Sequence, residues 1–190
     1  YAMMDQYLTR LDAMGVTIAL TADHGMKAKH APTGEPNVIY LEPLLGEAGL
    51  TDFRVILPIT DPYVVHHGAL GGFATVYLDN HPDHACARAA FDGVPGIETV
   101  LTRNEACNVF GLPADRIGDL VVISTRDYVL GSAPEKHDLS GLKDPLRSHG
   151  GVSEQRVPFI VNRCLEACAT GRRNFDIFSH TLNHALEGSS

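Results

Sequence analysis

The feature that most constrains the fold is a short apolar run at residues 16–22, VTIALTA, which stops abruptly at Asp23, His24 and Gly25. A run of this length, rich in β-branched and aliphatic side chains, is typical of a strand buried on both faces of a parallel sheet. Open α/β sheets bind their ligands at the carboxyl ends of such strands. The run therefore predicts an α/β fold with Asp23 and His24 at the ligand-binding edge of a core sheet.

The residues on either side of this run predict further core elements. Residues 2–14 place apolar side chains at helical spacing, and Gly15 is the residue type that commonly follows the C-terminus of a helix. A second apolar run at residues 157–161 predicts another strand of the core sheet, and residues 176–187 predict a final helix. Because the sequence starts inside a helical pattern and without a Met, we expect a longer polypeptide whose N-terminal part is missing here.

The middle of the chain predicts a separate small lobe. Strands are expected at residues 53–59, 73–78, 97–101 and 119–124, and helices at residues 81–91 and 104–110. Thr102 and Glu105 form the Thr-x-x-Glu pattern of a capping box at the start of the second helix. This alternation is typical of an α+β lobe of the ferredoxin-like type. We therefore expect a core segment at 1–45, a cap lobe at 46–118 and a second core segment at 119–190.

Charge and hydropathy argue against several classes of partner. The chain has 15 Lys and Arg against 23 Asp and Glu, a formal net charge of −8, which argues against binding to nucleic acids and to anionic membranes. No apolar stretch is long enough to span a membrane, and the first residues do not resemble a signal peptide. Four cysteines are too few for a secreted disulfide scaffold. We expect a cytoplasmic protein with reduced thiols and a small-molecule substrate.

Asp23 and His24 are the strongest candidates for metal ligands. A carboxylate and an imidazole are ligands that suit Zn²⁺, and Gly25 would give the backbone the freedom to turn both side chains toward one ion. The alternative is a polar strand end in which Asp23 caps a loop. His149, on a glycine-flanked turn in the sequence SHGG before a buried strand, could complete the site begun at the strand end of Asp23, or could be a loop histidine bound to backbone.

Other candidate ligands give weaker signals. His180 and His184 have the i, i+4 spacing of a helical metal pair, but no Glu follows His180 as in the HExxH motif. A surface position is therefore favoured for both. His81 and His84 flank a helix start and are interpreted in the same way. The i, i+4 pair formed by Cys164 and Cys168 is interpreted as two reduced thiols rather than as a metal site.

The sequence has no recognisable nucleophile motif, because GxSxG, the P-loop and the dinucleotide fingerprint are all absent. Metal-assisted hydrolysis is the chemistry that the remaining candidates support. A two-zinc site needs about six or more protein ligands, whereas Asp23, His24 and His149 are the good candidates in this chain. We therefore expect roughly half of an active site.

Four segments carry a family resemblance: TADHGMKAKH, LPITDPYVVHHGALGGFATVYL, IGDLVVIS and HDLSGLKDPLRSHGGVSEQRVPFIVNR. Together they resemble the phosphonoacetate hydrolases of the alkaline phosphatase superfamily. The resemblance implies an alkaline-phosphatase-like α/β core sheet with helices on both faces and an inserted cap lobe. It implies two zinc ions and hydrolysis of the carbon–phosphorus bond of phosphonoacetate to acetate and phosphate. It places Asp23 and His24 on the zinc that contacts a threonine nucleophile, and His149 on the other zinc.

The resemblance also implies that part of the site lies outside this chain. In this family the threonine nucleophile, an Asp-x-x-x-His pair and the lysines that bind the substrate carboxylate all come earlier than the first residue here. No catalytic residue is therefore assigned in this chain, and we expect the chain alone to be inactive. The candidates left for substrate binding are Lys27, Lys29, His66 and His67.

Two alternatives remain open. One is a nucleotide pyrophosphatase or phosphodiesterase of the same superfamily, although the absence of Trp and an aromatic content of 7% weigh against a slot for a nucleobase. The other is a non-catalytic module that keeps only remnants of the site. We expect a small phosphonate as the binding partner and a homodimer as the assembly, with no nucleic acid and no membrane.

Overall fold

The computed structural model describes residues 1–58, 70–79, 83–163 and 173–183. Its α-helices are α1 (Ala2–Ala13), α2 (Leu41–Glu47), α3 (Asp83–Ala89), α4 (Arg103–Phe110) and α5 (Asp176–Asn183), and short 3₁₀ helices occur at Ala114–Arg116, Pro134–Lys136 and Val152–Glu154. Its strands are β1 (Ala19–Thr21), β2 (Lys27–Ala28), β3 (Val38–Tyr40), β4 (Phe53–Ile56), β5 (Phe73–Leu78), β6 (Ile97–Thr102), β7 (Leu120–Ser124), β8 (Val129–Gly131), β9 (Arg147–Ser148) and β10 (Phe159–Val161). Within these residues no helix is long and apolar enough to cross a membrane.

The chain forms two compact units, residues 1–25 with 156–190 and residues 26–155. In the first unit, β1 pairs with β10, and Leu20 lies opposite Ile160. The prediction that these two apolar runs share a sheet is therefore confirmed. The expectation of a parallel strand buried on both faces is wrong. The one strand that pairs with β1 among the described residues is antiparallel, and the residues of β1 are exposed or half-buried.

Helix α1 confirms the sequence pattern at its C-terminus. Gly15 has a φ of +76°, and its amide donates to the carbonyl of Asp12 at 2.9 Å.

Asn162, just after β10, connects the two segments of the unit. Its Oδ1 accepts from the Ile18 amide at 2.6 Å, and its Nδ2 donates to the Asp12 carboxylate at 2.6 Å. Among the described residues of this unit Ile177 is the buried apolar side chain. Its exposed apolar side chains include Met3, Met14, Ile160, Phe178 and Leu182.

The second unit is built on an antiparallel sheet of four strands in the order β4-β5-β7-β6. Strands β5 and β6 are joined through α3 and have β7 between them, which is the split β-α-β unit of a ferredoxin-like lobe. The fourth strand, β4, precedes this unit in sequence. Because β7 lies in the interior of the sheet, the lobe extends past residue 118. The predicted boundary between residues 118 and 119 is therefore too early.

The burial of β7 on both faces explains why its sequence is almost entirely apolar. All five of its residues are buried. Leu120 and Val122 pack in a cluster with residues of α2 and α3, whereas Val121 and Ile123 pack in a cluster with a residue of α4. Burial of each aliphatic side chain of this size contributes about 1.5–3 kcal/mol. Helices thus pack on both faces of this antiparallel sheet, whereas the sequence predicts such a covering for the core sheet.

The capping box predicted at the start of α4 is confirmed. The Thr102 hydroxyl accepts from the Glu105 amide at 3.4 Å, and the Glu105 carboxylate accepts from the Thr102 amide at 2.7 Å. The bonds from the Thr102 amide and hydroxyl to the carboxylate lower the pKa of Glu105 below its ordinary value of 4.5. Their contribution to stability is therefore present above pH 4.5 and is lost as the pH falls through the lower pKa of the folded state.

We expect Thr102→Ala to lower the free energy of unfolding by about 1 kcal/mol at neutral pH, because α4 loses the side-chain cap at its N-terminus. Thr102→Ser keeps a hydroxyl in the same place and should remain close to wild type. Urea titration of the two variants measures the difference. Equal stability of the Ala and Ser variants would contradict the role of the cap.

Candidate metal centre

Two side-chain hydrogen bonds hold the backbone where β1 ends. The Thr21 hydroxyl donates to the carbonyl of Pro158 at 2.8 Å. One residue later, the carbonyl of Ala22 accepts from the side-chain amide of Asn174 at 3.2 Å. Two side-chain hydrogen bonds therefore hold the backbone that leads into Asp23.

The side chains of Asp23 and His24 bring one carboxylate oxygen close to one ring nitrogen. Asp23 Oδ1 accepts from the backbone amide of His24 at 2.9 Å, and His24 Nδ1 lies 2.8 Å from the carbonyl oxygen of Gly25. A carbonyl oxygen only accepts, so Nδ1 carries a proton, and in the neutral tautomer that fits this contact Nε2 has the lone pair. The second carboxylate oxygen, Oδ2, lies 3.5 Å from this Nε2.

This geometry fits a shared zinc ion. Bonds of about 2.0–2.2 Å at a tetrahedral angle place two donor atoms about 3.4 Å apart, and the observed separation of Oδ2 and Nε2 is 3.5 Å. Histidines that bind metals usually donate the other ring N–H to a carbonyl or carboxylate, as His24 does to Gly25. The side chains of Asp23 and His24 are 85% and 36% exposed, so both are accessible to an ion from solvent.

Gly25 acts through its carbonyl and not through an unusual backbone conformation. It is not among the glycines with a positive φ, so the conformational freedom expected of it is not what brings the two side chains together. No group of three or more His, Cys, Asp or Glu that could hold a metal occurs in the part of the chain that the structure describes. As ligands, Asp23 and His24 would supply two of the roughly four donors that zinc takes, and their role as ligands stays a prediction.

His149 belongs to the second unit, and the structure fixes its backbone there. It follows β9, and Gly150 after it has a φ of +104°. Its carbonyl accepts from the Gly72 amide at 2.7 Å. Ser148 before it is buried, and its hydroxyl donates to the Leu70 carbonyl at 2.7 Å. The assignment of His149 to a second zinc stays a prediction.

The two lysines predicted as substrate-binding candidates differ in position. Lys29 is fully buried, and its Nζ donates to the Arg126 carbonyl at 2.7 Å and to the Glu154 carboxylate at 3.2 Å. Burial lowers the pKa of Lys29, and the Glu154 carboxylate opposes that change. This environment does not support a substrate role for Lys29. Lys27 is half-buried and lies opposite Ser148 in the pairing of β2 with β9, so it remains a candidate.

The structure gives other roles to two of the remaining histidines. The ring of His180 lies edge-on to the ring of Phe159 with centroids 5.7 Å apart. His84 Nε2 lies 3.8 Å from the Asp119 carboxylate. Both side chains are half-buried, so the surface position favoured by the sequence is met only in part. The candidates that lie outside the described residues are His66, His67, His81, His184, Cys164 and Cys168.

Glu154 has no counterpart in the sequence-based predictions. It is buried, it pairs with Lys29 across 125 residues of sequence, and it accepts from the Gly151 amide at 2.8 Å. A single Glu in a loop has no periodic pattern that would indicate burial. The pair becomes evident only when β2 and β9 are placed side by side.

Comparison with known proteins shows extensive similarity. The model of the Type I phosphodiesterase / nucleotide pyrophosphatase family matches residues 2–152. A phosphonoacetate hydrolase of Penicillium oxalicum is 60% identical over 41 residues, which are 20% of this chain and 57% of that protein. The crystal structure of phosphonoacetate hydrolase from Sinorhizobium meliloti 1021 in complex with phosphonoacetate is 52% identical, with a TM-score of 0.88, and the match covers 97% of this chain and 45% of that one.

A more distant structure shows a likeness of fold alone. Murine ectonucleotide pyrophosphatase / phosphodiesterase 5, as an inactive form in complex with AMP, is 20% identical with a TM-score of 0.57, over 95% of this chain and 46% of that chain. The chain thus spans less than half the length of both solved structures. The α/β fold expected from the sequence, and the resemblance to phosphonoacetate hydrolases, are confirmed.

Proposed function

Because the chain belongs to the Type I phosphodiesterase / nucleotide pyrophosphatase family, we propose that it is part of a zinc-dependent phosphonoacetate hydrolase. The proposed reaction adds water across the carbon–phosphorus bond of phosphonoacetate and gives acetate and phosphate. The observation that carries the proposal is the 52% identity over 97% of this chain to the Sinorhizobium meliloti protein. The geometry of Asp23 and His24 supports it independently.

In this proposal Asp23 and His24 hold one zinc ion and His149 holds a second. Bound zinc supplies Lewis acidity, which polarises phosphonyl oxygens and lowers the pKa of a coordinated hydroxyl or water. The Asp23 carboxylate offsets positive charge at the site. The Gly25 carbonyl accepts from Nδ1 of the His24 ring, so Nε2 is the ring nitrogen that would bind the ion. In this proposal the nucleophile is a threonine of the longer polypeptide that the sequence predicts.

The leaving group sets a second requirement. Cleavage leaves the electron pair of the carbon–phosphorus bond on a carbon next to a carboxylate, where it is delocalised as an enolate before a proton converts it to acetate. Cationic groups are needed to hold that carboxylate and to stabilise the added charge. Among the described residues, Lys27 is the candidate from this chain, and His66 and His67 remain proposed contributors.

Zinc content and turnover test the ligand assignment. In the complete protein, Asp23→Asn, His24→Ala and His149→Ala should each lower zinc below the expected content of about two ions per chain. Each should also cut kcat/KM for phosphonoacetate by more than about 100-fold, because each removes a direct metal ligand. His180→Ala, whose ring packs on Phe159, is the control and should retain both properties.

Metal analysis after dialysis and an assay of released phosphate measure the two quantities. Activity close to wild type in His149→Ala would contradict the assignment of that residue. A complete protein that retains no zinc would contradict the enzyme proposal as a whole and would favour a non-catalytic module.

The second candidate function is that of a nucleotide phosphodiesterase, because the family model that matches this chain is named for that activity. Substrate preference separates this function from phosphonoacetate hydrolysis. A pocket lined with cations for a small carboxylate leaves those groups unpaired when a substrate lacks that carboxylate. Such a mismatch can reduce kcat/KM by about 10⁴-fold. We expect phosphonoacetate to exceed methylphosphonate and a nitrophenyl phosphodiester by a margin of this order. A higher kcat/KM for the phosphodiester would replace the proposed substrate.

A further inference from the structure

The carboxylate of Glu154 uses both of its oxygens inside the second unit. Oε1 accepts from Lys29 Nζ at 3.2 Å and from the Ser153 hydroxyl, and Oε2 accepts from the Gly151 amide at 2.8 Å. The side chains of Lys29 and Glu154 are 0% and 1% exposed. Water therefore cannot readily replace these bonds, and the loop that contains Gly151 is held by buried charge.

Lys29 connects this loop to two other segments. Its Nζ also donates to the carbonyl of Arg126, in the connection between β7 and β8, at 2.7 Å. Its backbone amide donates to the Leu146 carbonyl, just before β9, at 2.9 Å. Lys29 itself directly follows β2, which pairs with β9. The ion pair thus ties the loop after β9 to segments that are far apart in sequence.

Gly72 fixes the same loop by close backbone contact. Its amide donates to the His149 carbonyl at 2.7 Å, and its carbonyl accepts from the amide of Ser124, the last residue of β7, at 3.0 Å. A Cβ atom at Gly72 would lie 2.4 Å from the Gly151 nitrogen and 2.7 Å from its Cα. Only glycine allows the loop to approach this closely.

We propose that Lys29, Glu154 and Gly72 are positioning residues. They hold the loop of residues 148–154, so that the backbone of His149 has a fixed position when its side chain binds zinc. This inference rests on the proposed function, because it takes His149 as a ligand. A buried ion pair is often no more stabilising than apolar residues of similar size. Stability alone is therefore a weak reason for burying Lys29 and Glu154, whereas alignment of a metal ligand requires a rigid support.

Gly72→Ala tests the positioning role, with Gly118→Ala as a matched control. Both substitutions bring a Cβ against backbone at close range, since the added atom at Gly118 would lie 2.5 Å from the Val76 carbonyl oxygen. Gly118 contacts β5 rather than the loop. In the complete protein we expect Gly72→Ala to weaken the zinc that depends on His149 by about 10–100-fold. Gly118→Ala should leave both zinc affinities unchanged, even if its melting temperature falls as much as that of Gly72→Ala.

Glu154→Gln tests the ion pair directly. Its side-chain amide places an NH2 group where one carboxylate oxygen now accepts, so either Lys29 Nζ or the Gly151 amide loses its acceptor. We expect the same weakening of one zinc by about 10–100-fold. The control is Asp119→Asn, which alters the partly buried ion pair of Asp119 with Arg103 at 2.8 Å.

Two measurements decide the outcome. Chelator competition gives the affinity of each zinc, and amide hydrogen exchange of the zinc-free protein reports on the loop itself. We expect exchange of the amides of residues 72 and 151, relative to their intrinsic rates, to rise at least about 10-fold in Glu154→Gln and Gly72→Ala, and to stay at the wild-type rate in the two controls. If Glu154→Gln does not fold, Gly72→Ala alone decides.

Unchanged zinc affinity in a folded Gly72→Ala or Glu154→Gln variant would overturn the proposal and would leave the pair as a contact of the core. Failure of the proposed function has a different signature. In that case the wild-type protein itself would bind no zinc that His149→Ala removes, whatever happens to exchange in the loop.

Discussion

The buried ion pair of Lys29 and Glu154 is the interaction that ties the loop after β9 to the rest of the second unit. Neither side chain is more than 1% exposed, and removal of one partner would leave the other charge uncompensated at a cost of about 3–5 kcal/mol. Two segments separated by 125 residues must therefore meet. Their meeting agrees with the pairing of β2 with β9, in which Lys27 lies opposite Ser148.

The most buried strand of the sheet supports the same loop. All of β7 is buried, and its last residue, Ser124, donates its amide to the Gly72 carbonyl, while the Gly72 amide donates to the His149 carbonyl. A chain of backbone contacts thus leads from the hydrophobic core to the candidate ligand. Ligands carried by loops are positioned well only when a rigid scaffold holds those loops. Packing of the sheet and geometry of the candidate site are therefore coupled.

Sequence patterns predicted the elements whose geometry depends only on residues close together in the chain. The helix ending at Gly15 and the capping box of Thr102 and Glu105 were predictable, because spacing and residue type specify them. The antiparallel direction of β1, the interior position of β7 beyond the predicted lobe boundary and the burial of Glu154 were not. Each depends on which distant segment lies alongside, and residue patterns within a single run do not encode that. The closeness of the Asp23 and His24 side chains was predictable, because neighbouring residues form it, whereas their role as ligands stays a prediction.

The central claim is that Asp23 and His24 form one end of a zinc site in a hydrolase of this family. Adjacent donors 3.5 Å apart and a carbonyl that fixes the ring proton on Nδ1 give that claim its physical basis. Anomalous diffraction at the zinc absorption edge, from crystals of the complete protein, tests it most directly. The account predicts a zinc peak about 2.0–2.2 Å from Asp23 Oδ2 and His24 Nε2. A zinc-loaded crystal with no peak at these two atoms would contradict it.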